Sequence, residues 1–118
     1  VSISDNHSIS HDEIQFLKNI IRHHHERYDG TGLPDRLCGT QIPLEARIVT
    51  LADVFDALLS KRAYKSEWEL DDVLEYIEEN VGIMFDPNCV DALKQNLDTC
   101  MAVREQFSDK EEVTSFQA

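Results

Sequence analysis

The sequence is short of positive charge and of long apolar runs, and each shortage excludes a class of protein. Only 11 lysines and arginines stand against 23 aspartates and glutamates, and the net charge at pH 7 is -12. Because nucleic-acid binding sums many Lys and Arg contacts to phosphates, we expect no nucleic-acid partner. No apolar run approaches the roughly 20 residues that a membrane-spanning helix needs, and no signal peptide is visible. We therefore expect no membrane partner.

Cysteine and strand-like patterning are also scarce. The three cysteines, Cys38, Cys89 and Cys100, are odd in number and form no Cys-x-x-Cys pair. This favours reduced thiols in a cytoplasmic protein over a disulfide framework or a structural zinc site. Neither a strand-like alternation nor an internal repeat occurs. The sequence therefore predicts an all-α protein, and its 118 residues allow a single domain.

The domain boundaries and the charge distribution divide the chain unevenly. We expect residues 1–9 to be a flexible lead-in, residues 10–105 to form the domain, and residues 106–118 to be a disordered tail. Residues 1–65 carry eight lysines and arginines against nine acidic residues, whereas residues 66–118 carry three against fourteen. The first half is therefore the region with enough positive charge to hold an anionic ligand.

Two helices are predicted in the first half. Residues 10–13 form a capping box, and an apolar stripe continues from there at helical spacing as far as Tyr28. Pro43 suits the first position of a second helix, from about Leu44 to Leu59. The expected stripes are Ile14, Leu17 and Ile21 on the first helix, and Leu44, Ile48, Leu51, Phe55 and Leu58 on the second.

Two more helices are predicted in the acidic half. A second capping box at residues 66–69 opens a helix that Gly82 would end. Asp86 and Pro87 have the form of an N-cap followed by a proline start, and they open a fourth helix. The stripes facing the core are Leu70, Val73, Leu74 and Ile77 on the third helix, and Val90, Leu93, Leu97 and Met101 on the fourth.

The most unusual stretch is the histidine run at residues 23–25, which Glu26 and a glycine-rich loop follow. Imidazole and carboxylate groups together at a helix end suggest a metal. Neighbours on a helix are about 100° apart, so at most two of the three histidines can converge on one site. Spacing alone leaves metal binding and an ordinary structural role equally open.

Two charged features of the second helix also have alternative interpretations. Asp53 lies in an otherwise apolar string, where it is either exposed, as its spacing alone favours, or buried and paired. Residues 61–65 form a basic run. Cations there would complement the dipole at the helix C-terminus, and we favour this interpretation without further context. The alternative is that Arg62 and Lys65 clamp a phosphate.

Together these features resemble the HD-GYP family, a branch of the HD metal-dependent phosphohydrolases. Six motifs occur in the family's order, over roughly residues 12–97. They are His24-His25-Glu26-Arg27-Tyr28-Asp29-Gly30-Thr31-Gly32-Leu33-Pro34, Ile42-Pro43-Leu44, Ala46-Arg47-Ile48, Ala52-Asp53-Val54-Phe55-Asp56-Ala57-Leu58, Arg62-Ala63-Tyr64-Lys65 and Phe85-Asp86-Pro87. The resemblance implies an all-helical HD-type fold, of which residues 10–105 would be the C-terminal part. It also implies cyclic di-GMP phosphodiesterase activity.

The resemblance implies a metal centre as well. The paired histidines, His24 and His25, would be ligands, and Asp53 would ligate the same cluster of two or three iron or manganese ions. Asp56 resembles the position that supports the bridging water or the substrate. The reaction would be hydrolysis of a cyclic dinucleotide by a metal-activated water.

The remaining family positions implied by the resemblance concern phosphates and partners. Arg62 and Lys65 resemble the residues that hold the substrate phosphates. The loop containing Gly30, Gly32, Leu33 and Pro34 resembles the one associated with diguanylate cyclase domains. Here Leu33 stands where the tyrosine of the family's name motif occurs, which puts partner specificity in doubt more than the chemistry.

A larger departure concerns the family's His-Asp dyad, which normally lies several tens of residues before the paired histidines. His11-Asp12 is too close to them to be that dyad, and its place in the first turn of a capped helix favours a capping role. We therefore expect the isolated chain to bind a divalent metal weakly or not at all, and to be inactive. The alternatives are a non-catalytic module that docks on a cyclase domain or forms a homodimer, and a small helical domain that acquires metal adventitiously. In the family an upstream receiver or sensor domain is usual.

Overall fold

The computed structural model describes residues 8–60 and 69–106, and these form an all-α fold, as predicted. In chain order the elements are α1 (His11–His23), a short 3-10 helix (Gly39–Gln41), α2 (Leu44–Ser60), α3 (Leu70–Glu79), α4 (Pro87–Gln95) and a further helical stretch, α5 (residues 97–106). Two isolated bridges, Asp29 to Cys38 and Val81 to Phe85, are the β pairing among the described residues. None of the described helices is long and apolar enough to cross a membrane.

The first helix begins as predicted but ends earlier. The Ser10 backbone N–H donates to Glu13 Oε1 at 2.8 Å, and the Glu13 N–H donates to Ser10 Oγ at 3.1 Å, which completes the capping box. The helix ends at His23 and does not continue to Tyr28. The chain turns at His24 because its N–H closes the last bond, to Ile20 O, before the glycine-rich loop begins.

The prediction that α1 buries its apolar stripe is wrong. Ile14, Leu17 and Ile21 are 41%, 53% and 67% exposed, and α1 contains no buried residue. The helix contacts α2, where Asn19 donates a hydrogen bond to Glu45 Oε2 at 2.8 Å. The stripe stays open because no described element packs over it.

The core lies where α2, α3 and α4 meet. Its buried members are Leu51, Phe55, Leu59, Val73, Ile77, Phe85 and Val90. Full burial of such a side chain is worth about 1.5–3 kcal/mol. The second helix has the predicted start, and its Leu51 and Phe55 are buried as expected. The prediction for Leu44 and Ile48 is wrong, because each is about half exposed and lines a groove instead.

A largely buried ion pair also links the start of α4 to α2. Asp86 caps α4, as predicted, by accepting a hydrogen bond from Asn88 N at 2.7 Å. Its other carboxylate oxygen accepts from Arg47 Nη1 at 2.6 Å. Leu93, Leu97 and Met101 pack against the core, as their spacing predicted.

Some predictions concern residues outside the described ranges. The capping box at residues 66–69 lies there except for Glu69, which is the N-cap of α3. The helix ends at Glu79, and Gly82 lies in the following turn with φ +82°. Residues 1–7 of the lead-in, the basic run at residues 61–65 and the tail from residue 107 also lie outside the described ranges.

Candidate metal and phosphate site

The histidine turn directly follows α1, and its geometry leaves one nitrogen of His24 available. His24 Nδ1 lies 2.8 Å from the carbonyl oxygen of Ile20. A carbonyl only accepts, so Nδ1 carries the proton, and in the neutral ring Nε2 keeps its lone pair. Histidines that bind metals are commonly oriented by such a bond at the other ring nitrogen. His24 is therefore oriented as a metal ligand would be.

The second ligand candidate lies against the first. The ring centroids of His24 and His25 are 3.9 Å apart with an interplanar angle of 42°. His24 is half-buried and His25 is exposed. The turn that ends α1 thus brings the two imidazoles together, although consecutive residues of a continuing helix would diverge.

A contact with α2 places the histidine turn beside the helix that carries Asp53. Thr50 Oγ1 lies 2.7 Å from the carbonyl oxygen of His24 and 2.8 Å from that of Ala46. Asp53 is three residues beyond Thr50, so both belong to one face of α2. Asp53 is exposed. The contact therefore brings the turn after α1 against the face of α2 that bears Asp53.

The donor set fits iron or manganese, since imidazole suits iron and carboxylate suits manganese. The ligand atoms do not converge, however. Among the described residues, three potential metal ligands do have ligand atoms within 4.8 Å of one another, but they are His23, Glu26 and Asp35. The structure therefore joins the histidine turn to α2 at Thr50, three residues before Asp53, and does not close His24, His25 and Asp53 around a common point.

The cluster of His23, Glu26 and Asp35 holds the loop rather than leaving a site open. Arg22 donates two hydrogen bonds of 2.9 Å to the carboxylate of Asp35, and its guanidinium lowers the pKa of that carboxyl. His23 Nδ1 lies 3.1 Å from Glu26 Oε2 and 3.6 Å from Asp35 Oδ2. A metal ion would have to displace these donors, so we assign the cluster a structural role.

Glu26 holds the glycine loop, a role that its position in the sequence does not indicate. It is 3% exposed, and its two oxygens accept hydrogen bonds from Asp35 N and Leu37 N at 3.0 Å each. Burial alone would raise the pKa of this carboxyl, but the hydrogen bonds from Asp35 N, His23 and Leu37 N outweigh it and the pKa is lowered. The local sequence carries no signal for this role, because the amides that Glu26 binds belong to an irregular loop nine and eleven residues further on.

The glycine loop, residues 29–38, is held in a fixed shape. A Cβ at the buried Gly32 would lie 2.4 Å from Arg27 N, so only glycine fits there. Gly39 N donates to Tyr28 O at 2.8 Å and closes the base of the loop. Leu33, between Gly32 and Pro34, is 61% exposed. The loop therefore presents an apolar side chain at the surface on a well-bonded backbone.

The phosphate candidates are described only in part. Asp56 is exposed, and its Oδ1 lies 3.1 Å from Arg104 Nε of α5. Arg62 and Lys65 lie outside the described residues. Asp56 is one turn beyond Asp53 on α2, so the two candidate carboxylates follow each other along one side of that helix.

Comparison with known proteins gives consistent matches. A family model described as HD domain matches residues 9–89. The chain is 55% identical over 95 residues to the cyclic di-GMP phosphodiesterase response regulator RpfG of Xanthomonas campestris, a match that covers 80% of the chain and 25% of the regulator. It is 41% identical over 96 residues to 3'3'-cGAMP-specific phosphodiesterase 2 of Vibrio cholerae, covering 81% of the chain and 18% of that protein.

A solved structure shows the same fold. The crystal structure of a cyclic GMP-AMP specific phosphodiesterase of V. cholerae, V-cGAP3, superposes with a TM-score of 0.61 at 30% sequence identity. The match covers 71% of the chain and 19% of that protein. The chain thus spans a quarter or less of the length of these relatives.

Proposed function

The chain belongs to the HD domain family, in agreement with its HD-GYP resemblance, and from that premise we propose that it forms the C-terminal part of a metal-dependent phosphodiesterase acting on cyclic dinucleotides. The observation that carries the proposal is the histidine turn, where His24 and His25 lie together and Thr50 joins the turn to the face of α2 that bears Asp53. Two imidazoles and a carboxylate in one region are a suitable donor set for a catalytic divalent ion.

His24, through Nε2, His25 and Asp53 would hold the metal. A bound iron or manganese ion lowers the pKa of a coordinated water and offsets the charge that builds on the phosphate. Three ligands from this chain leave other positions of the ion to water, substrate or further side chains. Because the family's His-Asp dyad is absent from these residues, we propose that the chain by itself has little or no phosphodiesterase activity.

The remaining candidates would bind and orient the substrate. Asp56 has an exposed carboxylate that can accept a hydrogen bond from the attacking water or from a ribose hydroxyl. Arg62 can bind a phosphate with two parallel hydrogen bonds, and Lys65 supplies a point charge. Both would stabilise negative charge in the transition state.

The substrate class is argued from the relatives. They include proteins named for cyclic di-GMP and proteins named for 3'3'-cGAMP. Both of these nucleotides contain a ring closed by two phosphodiester bonds. We propose a cyclic dinucleotide of this type. We also propose a cytoplasmic location, which the three free cysteines support.

The test is hydrolysis of cyclic di-GMP and of 3'3'-cGAMP by the native full-length protein, in the presence of manganese or ferrous iron. We expect turnover of at least one of them, and loss of that turnover in His24→Ala and in Asp53→Ala. His11→Ala is the matched control because His11 is an exposed histidine in the first turn of α1. Full turnover in both site variants would contradict the proposal.

A second candidate function is docking through the glycine loop. The exposed Leu33 on a fixed backbone favours it, and the partner would be a diguanylate cyclase domain or a second copy of this chain. An upstream receiver or sensor domain would then supply the signal. Leu33→Ser should weaken association in a pull-down or in sedimentation while leaving metal binding unchanged. Unchanged association would argue against this function.

A further inference from the structure

Arg104 joins α5 to the helix that carries the proposed site. Its Nε lies 3.1 Å from Asp56 Oδ1, and its Nη2 donates a hydrogen bond to Ser60 Oγ at 2.8 Å. Asp56 and Ser60 are four residues apart and share a face of α2. One guanidinium therefore contacts two successive turns of that helix. Arg104 lies beyond residues 9–89, which the HD domain model matches.

The surroundings of Arg104 are mainly apolar. It lies at one side of a groove of about 740 Å³. The apolar side chains of this groove include Leu44, Ile48, Phe55, Leu93 and Val103. The Arg104 side chain is 12% exposed, whereas that of Asp56 is 60% exposed. A cation in such surroundings is costly unless an anion compensates it, and the Asp56 carboxylate is the anion that lies beside Arg104.

The bonding of this pair is incomplete on both sides. Arg104 Nε is buried, and its alignment toward Asp56 falls short of a hydrogen bond. The Asp56 side chain, whose Oδ1 lies 3.1 Å from Nε, remains largely open to solvent. Asp56 can therefore be held by Arg104 and still offer an oxygen to a water or a substrate.

We propose that Arg104 is a positioning residue for the phosphodiester chemistry, and the inference rests on the function proposed above. It fixes the carboxylate of Asp56 and also Ser60, the last residue of α2, two residues before Arg62 in the sequence. The site thereby depends on α5, because this helix contacts the acidic group and the last turn of α2.

The variants are chosen so that the protein stays folded. In Arg104→Met an apolar side chain of similar length replaces the cation inside an apolar groove, and the Asp56 carboxylate that loses its partner is largely exposed, so no buried charge is left unpaired. Arg104→Lys keeps the charge but cannot contact Asp56 and Ser60 with a planar fork. Lys94→Met is the control, because it removes an exposed cation of α4 that pairs with Glu78.

The experiment measures kcat and KM for cyclic di-GMP and 3'3'-cGAMP in the native full-length protein. For Arg104→Met we expect kcat to fall about tenfold or more with KM changed less than about threefold, since misplaced groups slow the chemical step. Arg104→Lys should recover part of kcat. Manganese affinity should stay the same in both variants, and Lys94→Met should match the parent protein.

Three results would overturn the inference. Unchanged kcat in Arg104→Met would show that Asp56 needs no support from α5. A raised KM with unchanged kcat would make Arg104 a substrate ligand instead. If the parent protein hydrolyses neither dinucleotide, the proposed function fails and the inference falls with it. If the parent protein is active and kcat falls only in the Arg104 variants, both the proposed function and the inference are supported.

Discussion

The hydroxyl of Thr50 lies 2.7 Å from the carbonyl oxygen of His24 and joins the histidine turn to α2. The same hydroxyl lies 2.8 Å from the Ala46 carbonyl within its own helix, so its single hydrogen is shared between two acceptors. Asp53 is the next residue along that face of α2. This contact therefore sets how the imidazole pair lies relative to Asp53.

Replacement of Thr50 by valine tests the connection. The shape is nearly conserved, but the His24 carbonyl loses its partner, which should cost about 1 kcal/mol of unfolding free energy. If Asp53 and His24 share an ion, the affinity for manganese should also fall, by about tenfold. Both quantities can be measured on this chain, by denaturant unfolding and by calorimetric titration. The control is Thr40→Val, at an exposed position of the 3-10 helix.

Glu26 should be essential for the glycine loop. Glu26→Ala removes the carboxylate that accepts hydrogen bonds from Asp35 N and Leu37 N, and the loss of a hydrogen bond to a charged group costs about 1.5–3 kcal/mol. Glu26→Gln keeps one acceptor oxygen and should lose less. Chemical denaturation measures both changes, with Glu75→Ala on the exposed face of α3 as the control. Equal stability of Glu26→Ala and the control would contradict the assignment of Glu26 as the residue that holds the loop.

Acid should destabilise the fold through the same carboxyl. The pKa of Glu26 in the folded chain is lowered from its ordinary value of 4.5. Since the folded state then binds its proton more weakly than the unfolded state, the stabilisation is present above about pH 4.5 and is lost as pH falls through the folded pKa. Thermal unfolding between pH 7 and pH 3 should show this loss. Glu26→Gln should show a smaller drop over the same range, and an equal drop would contradict the account.

Two glycines should respond differently to alanine. At Gly32 a Cβ would lie 2.4 Å from Arg27 N and 2.7 Å from the Cα of Glu26, so the backbone must move. At Gly82 there is space, and only its φ of +82° opposes a side chain, which costs about 1–2 kcal/mol. Gly32→Ala should therefore lose more stability than Gly82→Ala, and it should also alter the exposed loop. The reverse order in denaturant unfolding would contradict this explanation.

The sequence predicted features that depend on neighbouring residues better than features that depend on distant ones. The caps at Ser10 and Asp86 are confirmed because each is a bond within three residues. Burial of Ile14 and Ile48 is not observed, since an apolar stripe shows which side would pack and not whether an element covers it. The structural role of Glu26 could not be read, because its partners lie nine and eleven residues away in an irregular loop.

The candidate site was predictable as a list of residues but not as a geometry. The motif resemblance selected His24, His25 and Asp53, and their roles remain a proposal. Their placement depends on the turn after α1 and on the contact of Thr50 with His24, neither of which is encoded by spacing. The contact between Arg104 and Asp56 spans 48 residues and had no signal in the sequence.

The proposed metal site is tested most directly by a calorimetric titration of this chain with manganese. The protein should be purified without a nickel column. We expect weak binding that Asp53→Ala and His24→Ala each weaken further by at least tenfold, while Asp35→Ala and His11→Ala leave it unchanged. If Asp35→Ala removes binding and Asp53→Ala does not, the ion belongs to the cluster of His23, Glu26 and Asp35, and the proposed metal site is wrong.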